Sequence, residues 1–192
     1  MRLISIVLAA GSASRFGADK LSANLEGRAL IEHAICTARA APVEKVIVVT
    51  RAGLPIGNWP GKPPVERHAI RSDAMSTSLK AGIAAAAGAD GVFIFLGDMP
   101  RVPHDIAGKL AKVLGGSGAA IARFQGKPGH PVLLSARIFP SIRQLTGDEG
   151  AGRLLKQRED IVSVECDDPG ILLDIDRPAD LQRLERGPAD QA

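Results

Sequence analysis

Three short apolar runs, rich in β-branched side chains, constrain the fold of this chain more than any other feature. They cover residues 3–8, 46–49 and 92–96. Near-continuous apolar runs of this length are typical of strands that are buried on both faces of a parallel sheet. The sequence therefore predicts a sheet with helices packed on each side.

Helical patterns separate these runs, and the alternation indicates the fold class. One pattern covers residues 29–40, and a second begins at Ser76, whose hydroxyl can cap it, and ends at Gly88. A third runs from Pro103 to Gly115. Regular alternation of strand and helix predicts an α/β fold, arranged as a three-layer α/β/α sandwich with a mostly parallel sheet and right-handed crossovers.

The second half of the chain departs from this alternation. Residues 119–124 and 131–134 are predicted strands on either side of a turn at residues 126–129, and they would add an antiparallel pair to the sheet. The remaining predicted elements are short helices and strands at residues 138–145, 151–157, 161–165, 172–175 and after Pro178.

Composition limits the domain organisation and the partners. With 192 residues, 45% of them hydrophobic, we expect one domain over residues 1–192 with a frayed tail at 187–192. A net charge of +3 and an aromatic content of 3% argue against a nucleic-acid partner. No apolar run approaches the roughly 20 residues of a membrane span, and two cysteines are too few for a disulfide framework. Because residues 2–14 imitate a signal peptide only weakly, we expect a cytoplasmic protein.

A glycine-rich segment directly follows the first apolar run. It contains Gly11 and Gly17, whose surroundings leave backbone N–H groups free to approach phosphate oxygens, and the cations Arg15 and Lys20. Ligands of open α/β sheets bind at this end of the strands. The segment matches neither the dinucleotide-binding glycine motif nor the Walker motif. On its residues alone, it is as consistent with a structural turn as with a phosphate-binding loop.

Two further segments place carboxylates at ends of predicted strands. Asp98 follows the run at residues 92–96 and could either cap the next helix or act as a hard oxygen ligand for Mg²⁺. Asp174 and Asp176 point to the same side of an extended segment and could both face a cleft. Asp176 is also well placed to start the helix after Pro178, so both interpretations stay open.

Together these three segments resemble the family of nucleotidyltransferases that build dinucleotide forms of the molybdenum cofactor. The matching motifs are L-A-A-G-S-A-S-R-F-G-A-D-K at residues 8–20, L-G-D-M-P at 96–100 and D-I-D-R-P-A-D-L at 174–181. The resemblance spans residues 4–181 and implies a Rossmann-like fold, an NTP donor and Mg²⁺. The A-A-G at residues 9–11 resembles the cytidylyl members, whereas the guanylyl branch prefers A-G-G. The resemblance therefore implies transfer of CMP from CTP to the molybdenum cofactor.

The resemblance and the chemistry of nucleotidyl transfer imply roles for individual residues. Lys20 would contact the α-phosphate, Arg15 would hold the β- and γ-phosphates, and Asp98 and Asp176 would bind Mg²⁺ with Asp174 in reserve. The residues implied to bind substrate are Leu8, Ala9, Ala10, Gly11, Ser12, Gly17, Ser76, Ser78 and His130. Ser76 and Ser78 would contact the base or ribose, and His130 would contact the acceptor pterin. A capping role for Ser76 and a structural role for His130 stay open.

Several departures and alternatives accompany this resemblance. Arg177 replaces a usual Thr. Residues 22–24 replace a more apolar stretch and Arg153 lies one position late, and these last two departures lie near the donor or acceptor loops that set the fine specificity. The alternatives within enzymes are GTP-dependent transfer to the same cofactor and transfer to a sugar or alditol phosphate. The alternative of another class is a non-catalytic nucleotide or cofactor carrier for a molybdoenzyme. For a catalytic protein, the resemblance also implies transient contact with a molybdoenzyme or its chaperone.

Overall fold

A seven-stranded sheet forms the centre of the computed structural model, which describes residues 1–11, 16, 19–71 and 74–186. The strands are β1 Leu3–Ala9, β2 Asn24–Leu25, β3 Arg28–Ala29, β4 Val46–Arg51, β5 Val65–Ile70, β6 Gly91–Leu96, β7 Ala119–Phe124, β8 Lys127–Ser135 and β9 Ile161–Glu165. The α-helices are α1 Leu30–Ala40, α2 Met75–Ala85, α3 Ile106–Val113, α4 Phe139–Ile142, α5 Ala151–Leu155 and α6 Pro178–Arg186. Short 3₁₀ helices cover Lys20–Ser22, Ala136–Ile138 and Pro169–Leu172.

The strand order in the sheet is β5-β4-β1-β6-β8-β7-β9, and β2 and β3 form a separate small hairpin. β1 pairs in parallel with β4 and β6, whereas β8 pairs antiparallel with β6 and β7. β8 is thus the one reversed strand of this sheet. The carboxyl ends of the other six strands and the amino end of β8 therefore share one edge, which we call the carboxyl edge.

Helices cover both faces of the sheet because β1 and its neighbours are apolar on both sides. All seven residues of β1 are buried. Leu3 and Val7 pack with α1 and α3 on one face, and Ile4 and Ile6 pack with α2 and α4 on the other. Complete burial of each such side chain contributes roughly 1.5–3 kcal/mol. The predicted three-layer α/β/α sandwich with a mostly parallel sheet and an antiparallel addition is confirmed.

Several element boundaries differ from those predicted. α2 begins at Met75, so Ser76 lies inside its first turn and does not cap it. The hairpin turn between β7 and β8 is formed by Gln125 and Gly126, both with positive φ, so β8 already begins at Lys127. Residues 172–175 form no strand, because the 3₁₀ helix Pro169–Leu172 takes up the start of this segment.

The edge strand β5 was not predicted. Its sequence Val-Glu-Arg-His-Ala-Ile has no continuous apolar run, and its side chains are exposed or half-buried. Charged residues on an edge strand protect it from pairing with another chain, so the apolar pattern that marks central strands is missing here. Within the residues that the structure describes, no helix is long and apolar enough to cross a bilayer.

Candidate active site

Lys20, Asp98 and Asp176 meet at the carboxyl edge, although they come from three distant parts of the sequence. The Lys20 ammonium donates to Oδ2 of Asp98 at 2.7 Å and to Oδ1 of Asp176 at 3.4 Å. The Lys20 side chain is only 12% exposed, whereas that of Asp176 is 54% exposed. The structure therefore brings together three of the five charged residues that the sequence singled out.

Neighbouring backbone groups hold the two carboxylates in place. The N–H of Ile175 donates to the carbonyl oxygen of Asp98 at 3.0 Å, which ties the segment before α6 to the end of β6. Asp180 Oδ2 accepts from the N–H groups of Asp176 and Arg177 at 3.2 and 2.8 Å. Asp180 therefore caps the start of α6, and the Asp176 carboxylate remains available to face Lys20.

Asp98 has no capping role either. α3 begins only at Ile106, and Asp105 is its N-terminal flanking residue. The carboxylate of Asp98 instead lines a cavity of about 160 Å³ at the end of β1. The other residues that line this cavity are Leu8, Ala9, Ala10, Gly11, Asp19, Lys20, Leu21, Arg51, Met75, Ser78 and Leu96.

Most of the predicted donor-binding residues border this cavity, and the exceptions are Ser76 and the predicted residues outside the described part of the chain. Ser78 lines it, but its hydroxyl donates to the carbonyl of Ala74 at 3.2 Å. Ser76 is buried and does not line it, and its backbone N–H donates to the carbonyl of Gly147 at 3.2 Å. Three predicted residues lie outside the described part of the chain: Ser12, Arg15 and Gly17.

Arg51 is a residue of this cavity that the sequence analysis missed. It is the last residue of β4, the neighbour of β1, and its guanidinium lies 2.5 Å from Oδ1 of Asp19. Its position directly after the apolar run at residues 46–49 is the signal that could have identified it, because β4 ends at the same edge as β1. Arg51 adds a second cation beside Lys20.

Lys20, Asp98 and Asp176 form a cluster, which we call the Lys20 cluster, and its carboxylates suit a hard divalent cation. Asp98 and Asp176 offer carboxylate oxygens, which Mg²⁺ and Mn²⁺ prefer. Among the described residues no group of three or more His, Cys, Asp or Glu side chains could hold a metal. An ion here would therefore take one or two protein carboxylates and complete its coordination with substrate phosphates and water, as Mg²⁺ commonly does. The Lys20 ammonium shows that a cation is favourable between these two carboxylates.

A larger cavity of about 590 Å³ adjoins the smaller one and shares Leu8, Met75 and Leu96 with it. It lies between the sheet and the helices α2 and α5. Its other lining residues are Leu79, Ile94, Ile121, Arg123, Pro128, Gly129, His130, Val132, Gly150, Ala151, Gly152, Leu155, Lys156, Arg158, Ile161 and Ser163. The shared residues place two binding spaces side by side at the carboxyl edge.

His130 lines the larger cavity near the amino end of β8. Its Nδ1 lies 3.3 Å from the carbonyl oxygen of Ile94, which can only accept, so Nδ1 carries the proton and Nε2 is free to accept. Removal from water lowers the pKa of His130, against the opposing influence of Ile94 and of the charges of Asp98 and Asp174. A neutral His130 therefore presents a hydrogen-bond acceptor near neutral pH.

Asp174 forms no ion pair with Lys20 among the described residues, unlike Asp98 and Asp176. It is exposed and lines a third cavity of about 710 Å³, together with Arg101 and Glu26. Asp176, two residues later, is the one that reaches Lys20. The geometry therefore favours Asp176 over Asp174 as the partner of Asp98.

Comparison with known proteins gives this site a family. Residues 5–162 match the MobA-like NTP transferase domain. The chain belongs to this family. The family relationship supports nucleotidyltransferase activity. It agrees with a cavity that Lys20 and Asp98 line and that adjoins a second, larger cavity.

Two characterised relatives align with nearly the whole MobA-like chain. The purine catabolism protein PucB of Bacillus subtilis is 32% identical over 198 residues, covering 96% of each chain. The molybdenum cofactor cytidylyltransferase of Escherichia coli is 30% identical over 186 residues, covering 91% of each. The sequence relationship thus extends beyond the segments that carry the three motifs.

Solved structures agree with the architecture. Rv0371c from Mycobacterium tuberculosis H37Rv superposes with a TM-score of 0.83 at 22% identity, covering 97% of this chain and 99% of that one. The structure of the Rv0371c complex with manganese gives a TM-score of 0.80 at 21% identity, covering 97% and 100%. At this identity the likeness shows the fold alone.

Proposed function

We propose that this chain transfers CMP from CTP to the molybdenum cofactor, with Mg²⁺ as its metal and pyrophosphate as the second product. The observation that carries the proposal is the cluster of Lys20, Asp98 and Asp176, of which Lys20 and Asp98 line the smaller cavity. The A-A-G at residues 9–11 and the relationship to a cytidylyltransferase favour CTP over GTP.

The smaller cavity is the donor site in this proposal. Its floor is the backbone that leaves β1, where Ala10 and Gly11 begin the glycine-rich segment. Apart from the chain neighbours of Gly11, no atom of the described residues lies within 4 Å of the position of a Cβ, so a phosphate can approach this backbone closely. Lys20 would turn from the carboxylates to the α-phosphate, and Arg15 would contact the β- and γ-phosphates.

The larger cavity is the acceptor site. An acceptor phosphate oxygen attacks the α-phosphorus, a new phosphorus–oxygen bond forms, and the bond to the β-phosphate bridging oxygen breaks so that pyrophosphate leaves. The chain contributes alignment and charge, because neither step needs a covalent enzyme intermediate. Lys20 stabilises the negative charge that develops on the α-phosphate, and His130 Nε2 accepts a hydrogen bond from the acceptor.

Asp98 and Asp176 would hold Mg²⁺ in this scheme. A bound Mg²⁺ supplies neutralisation of the triphosphate and of the leaving pyrophosphate. Lys20, which forms ion pairs with both carboxylates, is then free to contact the α-phosphate. The proposal includes a cytoplasmic location and transient contact with a molybdoenzyme or its chaperone, which would receive the product.

The decisive experiment measures pyrophosphate release with each of CTP, GTP, ATP and UTP in the presence of Mg²⁺ and purified molybdopterin. We expect release with CTP and formation of the cytosine dinucleotide, identified by mass spectrometry. If GTP were the one nucleotide of the four that supports release, the activity would be guanylyl transfer and the proposed donor, CTP, would be wrong. Release with sugar or alditol phosphates, and not with molybdopterin, would replace the acceptor.

The non-catalytic alternative gives a different result in a parallel measurement. A carrier would be stabilised thermally by CTP, because any ligand that binds only the folded state raises its free energy of unfolding. It would release no pyrophosphate with any acceptor. Stabilisation without turnover would therefore contradict the proposed activity.

A further inference from the structure

The larger cavity has an unequal distribution of charge. Its lining contains Arg123, Lys156 and Arg158, and not one Asp or Glu among the described residues that border it. The rest of the lining is mainly apolar. A cavity of this composition favours a ligand that combines an apolar body with negative charge.

Two of the three cations have no carboxylate partner among the residues that the structure describes. Arg158 is paired with Asp160, whose two oxygens lie 2.7 Å from its nitrogens. The Arg123 guanidinium instead donates to the carbonyl oxygen of Gly126 at 2.7 Å, an acceptor without net charge. Lys156, which directly follows α5, makes no ion pair within the described ranges. Arg123 and Lys156 therefore bring two positive charges to the cavity that form no ion pair among the described residues.

The Arg123 side chain starts from a strand that is not adjacent to the reaction centre. Arg123 is on β7, and the order β6-β8-β7 separates it by two strand spacings from β6, which leads to Asp98. Neighbouring strands are about 4.8 Å apart, so the separation across the sheet is roughly 10 Å. Apolar side chains of the intervening strands, such as Ile94, Val132 and Ile121, line the space between.

We infer that the acceptor carries a second anionic group, apart from the phosphate that receives the nucleotide. Arg123 and Lys156 bind that group and so select the acceptor. The inference rests on the proposed function insofar as the larger cavity is the acceptor site. It adds a chemical class, a doubly anionic acceptor, and two specificity-determining residues.

Binding of two fluorescent dyes tests this inference without nucleotide or turnover. Anilinonaphthalene sulfonate has an apolar aromatic body and one anionic group, and N-phenyl-1-naphthylamine is its uncharged counterpart. We expect Arg123→Ala and Lys156→Ala each to weaken binding of the sulfonate about tenfold, because each removes a charge-assisted contact. Binding of the uncharged dye should stay within about twofold, since the apolar wall is untouched.

Lys127→Ala is the matched control. Lys127 is an exposed cation on the same hairpin as Arg123, but it does not line the cavity. Its substitution should leave the affinity for both dyes unchanged. Circular dichroism and thermal melting of each variant establish that the fold is retained.

Two results would overturn the inference. In one, the double variant of Arg123 and Lys156 binds the sulfonate as tightly as the unchanged protein. In the other, the affinity for both dyes falls equally, which would mean that the apolar wall and not the charge had been altered. Failure of the proposed function is distinguishable, because it appears as absent pyrophosphate release with every NTP while the dye result stands.

A kinetic readout separates acceptor selection from catalysis. With molybdopterin as the acceptor, both variants should raise its KM about tenfold and leave kcat within about twofold, because the contacts exist equally in the ground and transition states. A fall in kcat at unchanged KM would contradict a role in selecting the acceptor.

Discussion

The ammonium of Lys20 lies 2.7 Å from Oδ2 of Asp98, in a pair that is largely shielded from water. The same ammonium also reaches Asp176, so one lysine serves two carboxylates. The proposed reaction needs this lysine at a phosphate and these carboxylates at a metal. Binding of the metal and nucleotide therefore exchanges one set of charge pairs for another, and this exchange can be tested.

Replacement of Lys20 by alanine should slow CMP transfer at least about 100-fold, because a charge that stabilises the transition state is lost. Pyrophosphate release measures the rate. Urea denaturation should show a loss of about 1 kcal/mol in the free energy of unfolding, since Asp98 keeps little contact with water once its partner is gone. Lys112→Ala, at an exposed position of α3, is the matched control and should keep both values. Full activity of Lys20→Ala would remove Lys20 from the mechanism.

Loss of Lys20 should also strengthen metal binding in the absence of nucleotide. The ammonium competes with a cation for Asp98 and Asp176, so its removal frees both carboxylates. We expect Lys20→Ala to bind Mn²⁺ about tenfold more tightly than the unchanged protein. Titration followed by electron paramagnetic resonance measures free Mn²⁺. Equal affinities, or an affinity that survives Asp98→Asn in the Lys20→Ala background, would show that the metal binds elsewhere.

The two carboxylates near α6 should differ sharply in importance. Asp176→Asn removes a charge that reaches Lys20, and we expect at least a 10-fold fall in kcat together with weaker Mn²⁺ binding. Asp174→Asn alters an exposed carboxylate in another cavity and should change kcat less than about threefold. Steady-state kinetics at several Mg²⁺ concentrations compare the two variants. The reverse order of effects would make Asp174 the second metal ligand.

How far the sequence predicts this protein depends on the kind of signal that each element carries. The runs at residues 3–8, 46–49 and 92–96 became central strands, because burial on both faces demands unbroken apolar sequence. Edge strand β5 has one open side and therefore no such demand, so its pattern was not informative. The apolar pattern therefore predicts the central strands of the sheet better than its edge strand.

The site divides in the same way. Asp98 and Lys20 were identified from the sequence because ligands of open α/β sheets bind at the carboxyl ends of strands. Both residues follow a predicted strand closely, and Lys20 lies in a glycine-rich segment. Their direct contact was not predicted, since it depends on distances between segments that are 78 residues apart in the chain. Arg123 and Lys156 were not predicted to line a cavity for the same reason. Nothing in their local sequence indicates that β7 and α5 border one cavity.

His130 should make the stability of the protein sensitive to mild acid. Removal from water lowers the pKa of its ring in the folded chain, so below pH 6.5 the unfolded chain binds a proton that the folded chain resists. The free energy of unfolding therefore falls as the pH drops below 6.5, by up to about 1.4 kcal/mol per pH unit, until the folded pKa is passed. Urea denaturation between pH 7.5 and 5 measures this slope. His130→Gln should flatten it, whereas His104→Gln, a change at an exposed ring, serves as the control. An unchanged slope in His130→Gln would mean that other groups cause the acid sensitivity.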